Sequence, residues 1–407
     1  MFSLNKLVSV KSGYRALSTV SSELVDQFLA SNPSTIAIDA TWFFPNDPRN
    51  AFKEHTQKRL NDKTVFFDIE DISDKSNPFP HMLPSKSQFE QQISKLGITN
   101  DSTLLIYDTS DVYSACRASW MFEIFGHDLD KLYILDNFAG YKNYTTKSTD
   151  SKSPLPESIY KATFDKSKLV SFEELKQLVL EDKIGKSYTL LDARSGPRFD
   201  GSANEARPGI SSGHIKNAIN VPFQDFLNAD KQFIAPEAIL NRLKQAGVDE
   251  SKPIIVMCGS GVTACVVRCG LLLAGFDAKN IAVYDGSWTE WATRAPELVT
   301  KSFESNSVLS GGRFFLGETK LLKKSTFRFF GDSYNEPVIP KFLLPSSSLS
   351  SFWICDGSSL KTSQLISLSR IPKVPSFLRT GLLGLVAGFK DSGLSSLKRP
   401  DLNGSCF

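Results

Sequence analysis

Cys258 stands between an apolar tetrapeptide, Ile254–Met257, and the small residues Gly259, Ser260 and Gly261. An apolar segment carrying one arginine, Arg268, follows from Val262. The pattern is a strand feeding a tight loop that opens onto a helix. The first turn of a helix has N–H groups without intrahelical partners, and the positive end of its dipole favours an anion. A sulfur held there is favoured as the nucleophilic thiolate, and the same donors suit a persulfide anion. A buried structural cysteine is the alternative reading, and the strand-end position before a Gly-rich turn weighs against it. A phosphate-transfer cradle has the same outline but needs an arginine six positions after the cysteine, where this chain has Ala264. The loop has no other cation, so a phosphate dianion is a poor substrate.

The elements that must hold this loop occur twice. "TIAIDATWFFPN" (35–46) matches "YTLLDARSGPRF" (188–199), "LLIYDTSDVYSA" (104–115) matches "IIVMCGSGVTA" (254–264), and "YILDNFAGY" (133–141) matches "AVYDGSWTEW" (282–291), at offsets of 153, 150 and 149 residues. A near-constant offset means two copies of one domain. Each copy alternates short apolar strands with helical patterns such as "SFEELKQLVLEDK" (171–183) and "PEAILNRLKQAGV" (236–248). The expected fold class is therefore α/β, each domain a mainly parallel sheet flanked by helices. Asp108 takes the place of Cys258 in the first copy, so only the second copy is equipped for thiol chemistry. The first copy is expected to supply shape and polar groups to a shared cleft.

Composition excludes several classes. The chain has 407 residues, 22% of them charged, with a net charge of +3, too small for charge-driven nucleic-acid binding. Six cysteines, irregularly spaced, make neither a disulfide framework nor a paired zinc motif. Cys265 and Cys269, four apart, and Cys116 read as packing residues; His55 and His214 read as structural. Trp288 and Trp291 are expected beneath the Cys258 loop. No apolar run reaches the roughly 20 residues of a membrane-spanning helix. The first 22 residues contain Lys6, Lys11 and Arg15 and no acid, the composition of a mitochondrial presequence.

Residues 30–298 resemble the tandem rhodanese-domain sulfurtransferases, of the 3-mercaptopyruvate sulfurtransferase type. The resemblance rests on "CGSGVTA" (258–264), "DARSGPRFDG" (192–201), "GHIKNAINVPF" (213–223) and "YDGSWTEWATR" (284–294), together and in this order. It implies two rhodanese-like domains and an enzyme in which Cys258 takes sulfur from 3-mercaptopyruvate, releases pyruvate and holds a persulfide. The sulfur then passes to a thiol, a thioredoxin-like reductant or cyanide. No metal or organic cofactor is implied. Thiosulfate-specialised relatives carry two basic residues directly after the cysteine, where this chain has the neutral Gly259 and Ser260. The resemblance assigns substrate binding to Arg198 and Arg207 and to the loop residues Gly259, Gly261, Val262 and Thr263. It assigns a proton relay to Ser260, His81 and the carboxylate eleven positions before it, here Glu70 rather than the usual Asp. Around Arg207 the chain reads "NEARPG", where many relatives have Pro-Glu-Pro-Arg. The alternatives are a thiosulfate sulfurtransferase, and a sulfur-relay protein for transfer-RNA thiolation that acts through partner docking.

The expected layout is a mitochondrial leader over 1–21, an inactive first domain over 22–145, a Ser-, Lys- and Pro-rich linker over 146–165, the catalytic domain over 166–300, and an irregular, disordered Ser-rich tail over 301–407. A second, cytoplasmic pool is compatible with such a leader.

Overall fold

A computed structural model describes residues 17–302 except 45–46 and 111–112. The first lobe is built on strands β1 (Ser18–Ser21), β2 (Ile36–Asp39), β3 (Val65–Phe66), β4 (Leu104–Tyr107) and β5 (Leu132–Asp136). The second uses β6 (Leu169–Val170), β7 (Thr189–Asp192), β8 (His214–Ile215), β9 (Ile219–Asn220), β10 (Ile254–Met257), β11 (Ile281–Tyr284) and β12 (Val299–Thr300). The sheets run β1-β5-β4-β2-β3 and β6-β11-β10-β7-β9, the same order under the repeat, and every pairing within them is parallel. An antiparallel ribbon pairs β12 with β8. The central strands β4 and β10 are buried on both faces, which is why "LLIY" and "IIVM" are apolar without alternation. Helices Lys86–Lys95 and Phe172–Leu180 start on capping boxes, Ser85 with Gln88 and Ser171 with Glu174.

The lobes meet through the helices that follow the two central strands, Tyr113–Ile124 and Ala264–Leu273, both almost wholly buried. Their side chains join one hydrophobic core that runs through both lobes. The apolar composition of the two helices all round follows from this placement. Gly270 allows the second helix to pack closely within its own lobe, since a Cβ on it would come within 2.3 Å of the Phe226 ring. Cys116 lies against Cys269 across the contact, and burial pushes the Cys116 and Cys265 thiols up, which keeps them protonated and inert.

Two boundaries differ from expectation. The first sheet begins at Ser18, inside the stretch expected as a leader, because β1 pairs with β5 from Ser18 to Ser21. Leu17 is already buried. A leader compatible with this fold ends before Leu17. The expected linker is a strap bound to the first lobe. Phe66 donates to the Lys152 carbonyl (2.7 Å), Ser158 to the Ser94 carbonyl (2.9 Å) and Thr163 to the Phe125 carbonyl (3.0 Å), and Tyr160 is core. Ser, Lys and Pro signal the lack of a regular element, not the lack of contacts. The rest of the expected leader, and the tail beyond residue 302, lie outside the described residues.

Asp136, at the end of β5, is buried and accepts the Phe233 N–H at 3.1 Å and 3.2 Å. Burial is the main cause that raises its pKa to about 7, with Glu23 acting in the same direction. The folded chain thus holds a proton that the unfolded chain gives up near the ordinary carboxyl value, so stability falls as pH rises from about 4 to 7. Asp136→Asn is expected to be more stable than the parent by about 4 kcal/mol at pH 8 and equal to it near pH 4, read by denaturant unfolding at both pH values.

Candidate active site

Cys258 emerges from β10 into a loop whose outward face is tied to the helix Ser287–Arg294. Trp288 N–H donates to the Cys258 carbonyl at 2.9 Å, and Thr289 donates to the Gly259 carbonyl from its N–H at 3.0 Å and its Oγ1 at 2.7 Å. Ser287 Oγ accepts the Cys258 N–H at 3.1 Å and donates to the Tyr284 carbonyl at 2.9 Å. With those carbonyls engaged on the far side, the N–H groups of Gly259, Ser260, Gly261, Val262 and Thr263 have no acceptor among the described residues. They follow directly on Cys258, which is itself 2% exposed, and are donors an anion there could use. Gly261 takes φ +77°, a left-handed conformation that favours glycine. Trp288 touches this loop through its backbone N–H, its ring lies under the Arg194 guanidinium at 4.0 Å, and both Trp288 and Trp291 belong to the core of the second lobe.

The first-lobe counterpart is filled by its own side chain. Asp108 Oδ1 accepts the Ser110 N–H at 2.9 Å and Oδ2 accepts the Ala115 N–H at 2.9 Å. The carboxylate engages N–H groups of its own loop, where an anion would otherwise bind.

The first lobe does reach the Cys258 loop with other groups. His81 Nδ1 is 3.1 Å from Ser260 Oγ, and His81 Nε2 is 2.9 Å from Glu70 Oε1. Trp42 Nε1–H donates to the same carboxylate oxygen at 2.8 Å, and its ring meets His81 edge-on. The hydrogen bond from His81 is the main cause that lowers the Glu70 pKa to about 2. An ionised Glu70 accepts, so Nε2 carries the proton and Nδ1 is free to exchange one with Ser260. Glutamate therefore closes the chain expected of an aspartate. The histidines outside this chain have structural partners: His55 bonds Asp39 Oδ2 at 2.9 Å, and His214 bonds the Phe199 carbonyl at 2.9 Å.

Both expected arginines lie at the loop. Arg198 donates from Nε and Nη2 to Glu205 Oε2, the first at 3.0 Å, and its Nη2 stands 3.1 Å from where a Cβ on Gly259 would be. Arg207 has no hydrogen-bond or ion-pair partner among the described residues. Burial lowers its pKa, while the charges of Cys258 and Glu70 act in the opposite direction. A guanidinium stays charged under such a shift, so Arg207 is a half-buried cation beside the sulfur with its donors unclaimed. A planar carboxylate is the group that such a fork accepts.

Five side chains went unrecognised in the sequence. Glu205 bridges Arg198 to the buried Arg194, whose Nη1 it accepts at 2.6 Å, and Arg194 is held in turn by Asp192. Arg117 and Asp285 form a buried pair across the lobes at 2.6 Å. A single arginine inside each apolar helix was the available signal, because a buried guanidinium requires a buried carboxylate. Glu205 carried a weaker one, as one of two acids, with Asp200, between two arginines nine positions apart. Among the described residues no cluster of His, Cys, Asp or Glu is arranged to hold a metal.

A rhodanese-like domain model matches residues 171–294. The Arabidopsis thaliana protein "Thiosulfate/3-mercaptopyruvate sulfurtransferase 1, mitochondrial" is 35% identical over 327 residues, covering 74% of this chain and 84% of that protein. The crystal structure of Tum1 protein from Saccharomyces cerevisiae superposes with a TM-score of 0.66 at 34% identity, over 70% of this chain and 98% of that one. The cryo-EM structure of the yeast mitochondrial complex I sub-stoichiometric sulfur transferase subunit does so with 0.63 at 36% identity, over 70% and 99%.

A methyl group at position 261 would lie 2.8 Å from the Asp285 carbonyl oxygen and 2.9 Å from Arg117 Nη1, on a backbone that L side chains avoid. Gly261→Ala is expected to cost about 2 kcal/mol or more in denaturant unfolding and to abolish sulfur loading of Cys258. Gly259→Ala faces only the movable end of Arg198 and is expected to fold within about 1 kcal/mol of the parent.

Proposed function

The chain belongs to the rhodanese-like sulfurtransferases, and from that premise we propose that it moves sulfane sulfur from 3-mercaptopyruvate, through a persulfide on Cys258, to thiol, cyanide or protein acceptors. The protein is a sulfurtransferase; the donor is the finer question. The Arabidopsis relative carries both donors in its name, so the choice has to be argued from chemistry.

The two donors differ in what leaves. When the Cys258 thiolate attacks the thiol sulfur of mercaptopyruvate, the S–S bond forms, the C–S bond breaks, and the electron pair goes to the methylene carbon as the pyruvate enolate. That carbanion requires a proton to become pyruvate. With thiosulfate the leaving group is sulfite, a stable anion that requires none. The observation that carries the reading is the Ser260–His81–Glu70 chain beside the Cys258 loop. The thiol proton that mercaptopyruvate sheds as the persulfide anion forms passes through Ser260 to His81 Nδ1 and returns by the same route to the methylene carbon, while Glu70 holds the imidazole by Nε2. The persulfide left on Cys258 is solvated by the N–H groups of Gly259 to Thr263. Arg207 binds the donor's carboxylate, and Arg198, fixed by Glu205, completes the cationic wall. Gly259 and Ser260 add no charge for a dianion.

A persulfide is handed on to a thiolate that attacks its outer sulfur, so a small thiol or a thioredoxin-like protein is a suitable acceptor. Resemblance to the yeast complex I sulfur transferase subunit supports delivery to a partner protein as well. A mitochondrial location fits the acid-free N-terminal 22 residues and the location in the Arabidopsis relative's name; a cytoplasmic pool is the additional possibility the leader allows.

The test is single-turnover sulfur loading and steady-state turnover with each donor. Mercaptopyruvate is expected to be preferred in kcat/KM, and Cys258→Ser to be inactive with both. His81→Gln and Glu70→Gln are expected to slow mercaptopyruvate by about 10²-fold while leaving thiosulfate within a few-fold. A thiosulfate preference in the parent, or equal losses with both donors, overturns the assignment. Because the Glu70 pKa is lowered to about 2, the carboxylate stays ionised down to that range. Protonation of Glu70 itself is expected to lower the mercaptopyruvate rate only as pH approaches 2 to 3, a loss that Glu70→Gln lacks.

A further inference from the structure

The lobe contact contains two buried arginines related by the internal repeat, Arg117 and Arg268, at an offset of 151 residues. Each crosses to a buried carboxylate of the other lobe. Arg117 Nη1 meets Asp285 Oδ1 at 2.6 Å, and Arg268 Nη1 meets Glu123 Oε2 at 2.7 Å. The symmetry then breaks. Asp136 is the repeat counterpart of Asp285, yet Arg268 bonds Glu123 instead.

Only Arg117 is joined to the reacting groups. Its Nη1 donates to the Gly261 carbonyl at 3.3 Å, in the cysteine loop, and its Nη2 donates to the carbonyl of His81 itself. Asp285 extends the clamp, since its Oδ2 accepts the Leu83 N–H at 2.8 Å. One guanidinium thus ties the loop of the second lobe to the backbone that carries the first-lobe imidazole. His81 needs such a tie because it takes φ +62°, a conformation that costs a non-glycine residue on the order of 1 kcal/mol or more.

We propose that Arg117 is a positioning residue that sets the gap between His81 and Ser260 and so governs proton delivery to the leaving carbon. The proposal rests on the relay reading given above. A lysine ammonium cannot reproduce the planar fork that serves Asp285, Gly261 and His81 together. Arg268 provides the internal control: equally buried, equally inter-lobe, and without a hydrogen bond to the loop or to His81.

The experiment measures sulfur loading of Cys258 from mercaptopyruvate and from thiosulfate in Arg117→Lys, Arg268→Lys, His81→Gln and the double variant Arg117→Lys/His81→Gln, with unfolding curves for all four. Arg117→Lys is expected to slow mercaptopyruvate 10- to 100-fold and thiosulfate less than about 3-fold, with no further loss when added to His81→Gln. Arg268→Lys is expected to lose stability and keep the donor ratio of the parent. If Arg117→Lys and Arg268→Lys give the same donor ratio, the proposal is overturned while the relay stands on His81→Gln. If His81→Gln leaves the ratio unchanged, the relay reading itself fails, and a shift confined to Arg117→Lys then assigns that residue to the loop alone. Asp285→Asn, which loosens the clamp at nearly constant volume, gives the same readout should Arg117→Lys not fold.

Discussion

The carbonyl groups of Cys258 and Gly259 are turned away from the cleft, and the chemistry of the protein depends on that orientation. Each peptide unit has a donor and an acceptor on opposite edges, so binding the acceptors of this loop to Trp288 and Thr289 commits the donors that follow to the other side. The donors are in place before any sulfur arrives. A thiolate or persulfide then meets fixed N–H dipoles, without the reorganisation that water would require. The "GSWTEW" segment after β11 is part of the active site in this sense, although its side chains hold the loop from behind.

The first lobe shows what the same backbone does with another residue. Asp108 brings a charge of its own into the equivalent loop and satisfies the local donors with it. The N–H groups of Ser110 and Ala115 are thereby taken from any external anion. Duplication has therefore not produced two weak sites. One cradle is closed by a carboxylate, and its lobe contributes His81, Glu70 and Trp42 to the other. A proton donor carried by the lobe opposite the nucleophile can approach the leaving group from a different side, which a single small lobe with one loop could not arrange.

Much of this was legible in the chain. The repeat offset, the alternation of apolar strands with helical patterns, and the Asp108 for Cys258 exchange specify two parallel-sheet lobes and one reactive loop before any coordinates. Arg198, Arg207, Ser260, His81 and Glu70 follow from resemblance, and the structure gathers them around that loop. Long-range pairing was not legible. Arg117 and Asp285 are 168 positions apart, and nothing in their neighbouring residues encodes the partner. Glu205 escaped because its role comes from facing two arginines at once, a property of a folded loop and not of the peptide "NEARPG". The strap over residues 146–165 was misread for a related reason: its composition reports the lack of a helix or strand, whereas its attachment is made by backbone groups and by scattered side chains such as Tyr160 and Ser158 whose partners only the fold supplies.

The distribution of charge explains why the cleft can hold both an anionic donor and a second acid. Glu205 neutralises Arg194 and Arg198, and Asp192 claims what remains of Arg194. Without Glu205, Arg198 would join Arg207 as an unpaired cation while Asp192 still held Arg194, and the wall would retain the product carboxylate as firmly as the donor's. With it, Arg207 is the one guanidinium there that keeps all its donors unclaimed among the described residues, a single positive charge matched to a single carboxylate. Glu70 is kept out of that balance by its bonds to His81 and Trp42, which hold it on the relay side instead of letting it swing to Arg207. In the proposed mechanism the site thus separates one cation for binding from one carboxylate for proton transfer, and the hydrogen bonds of Glu205 and Trp42 keep the two from neutralising each other.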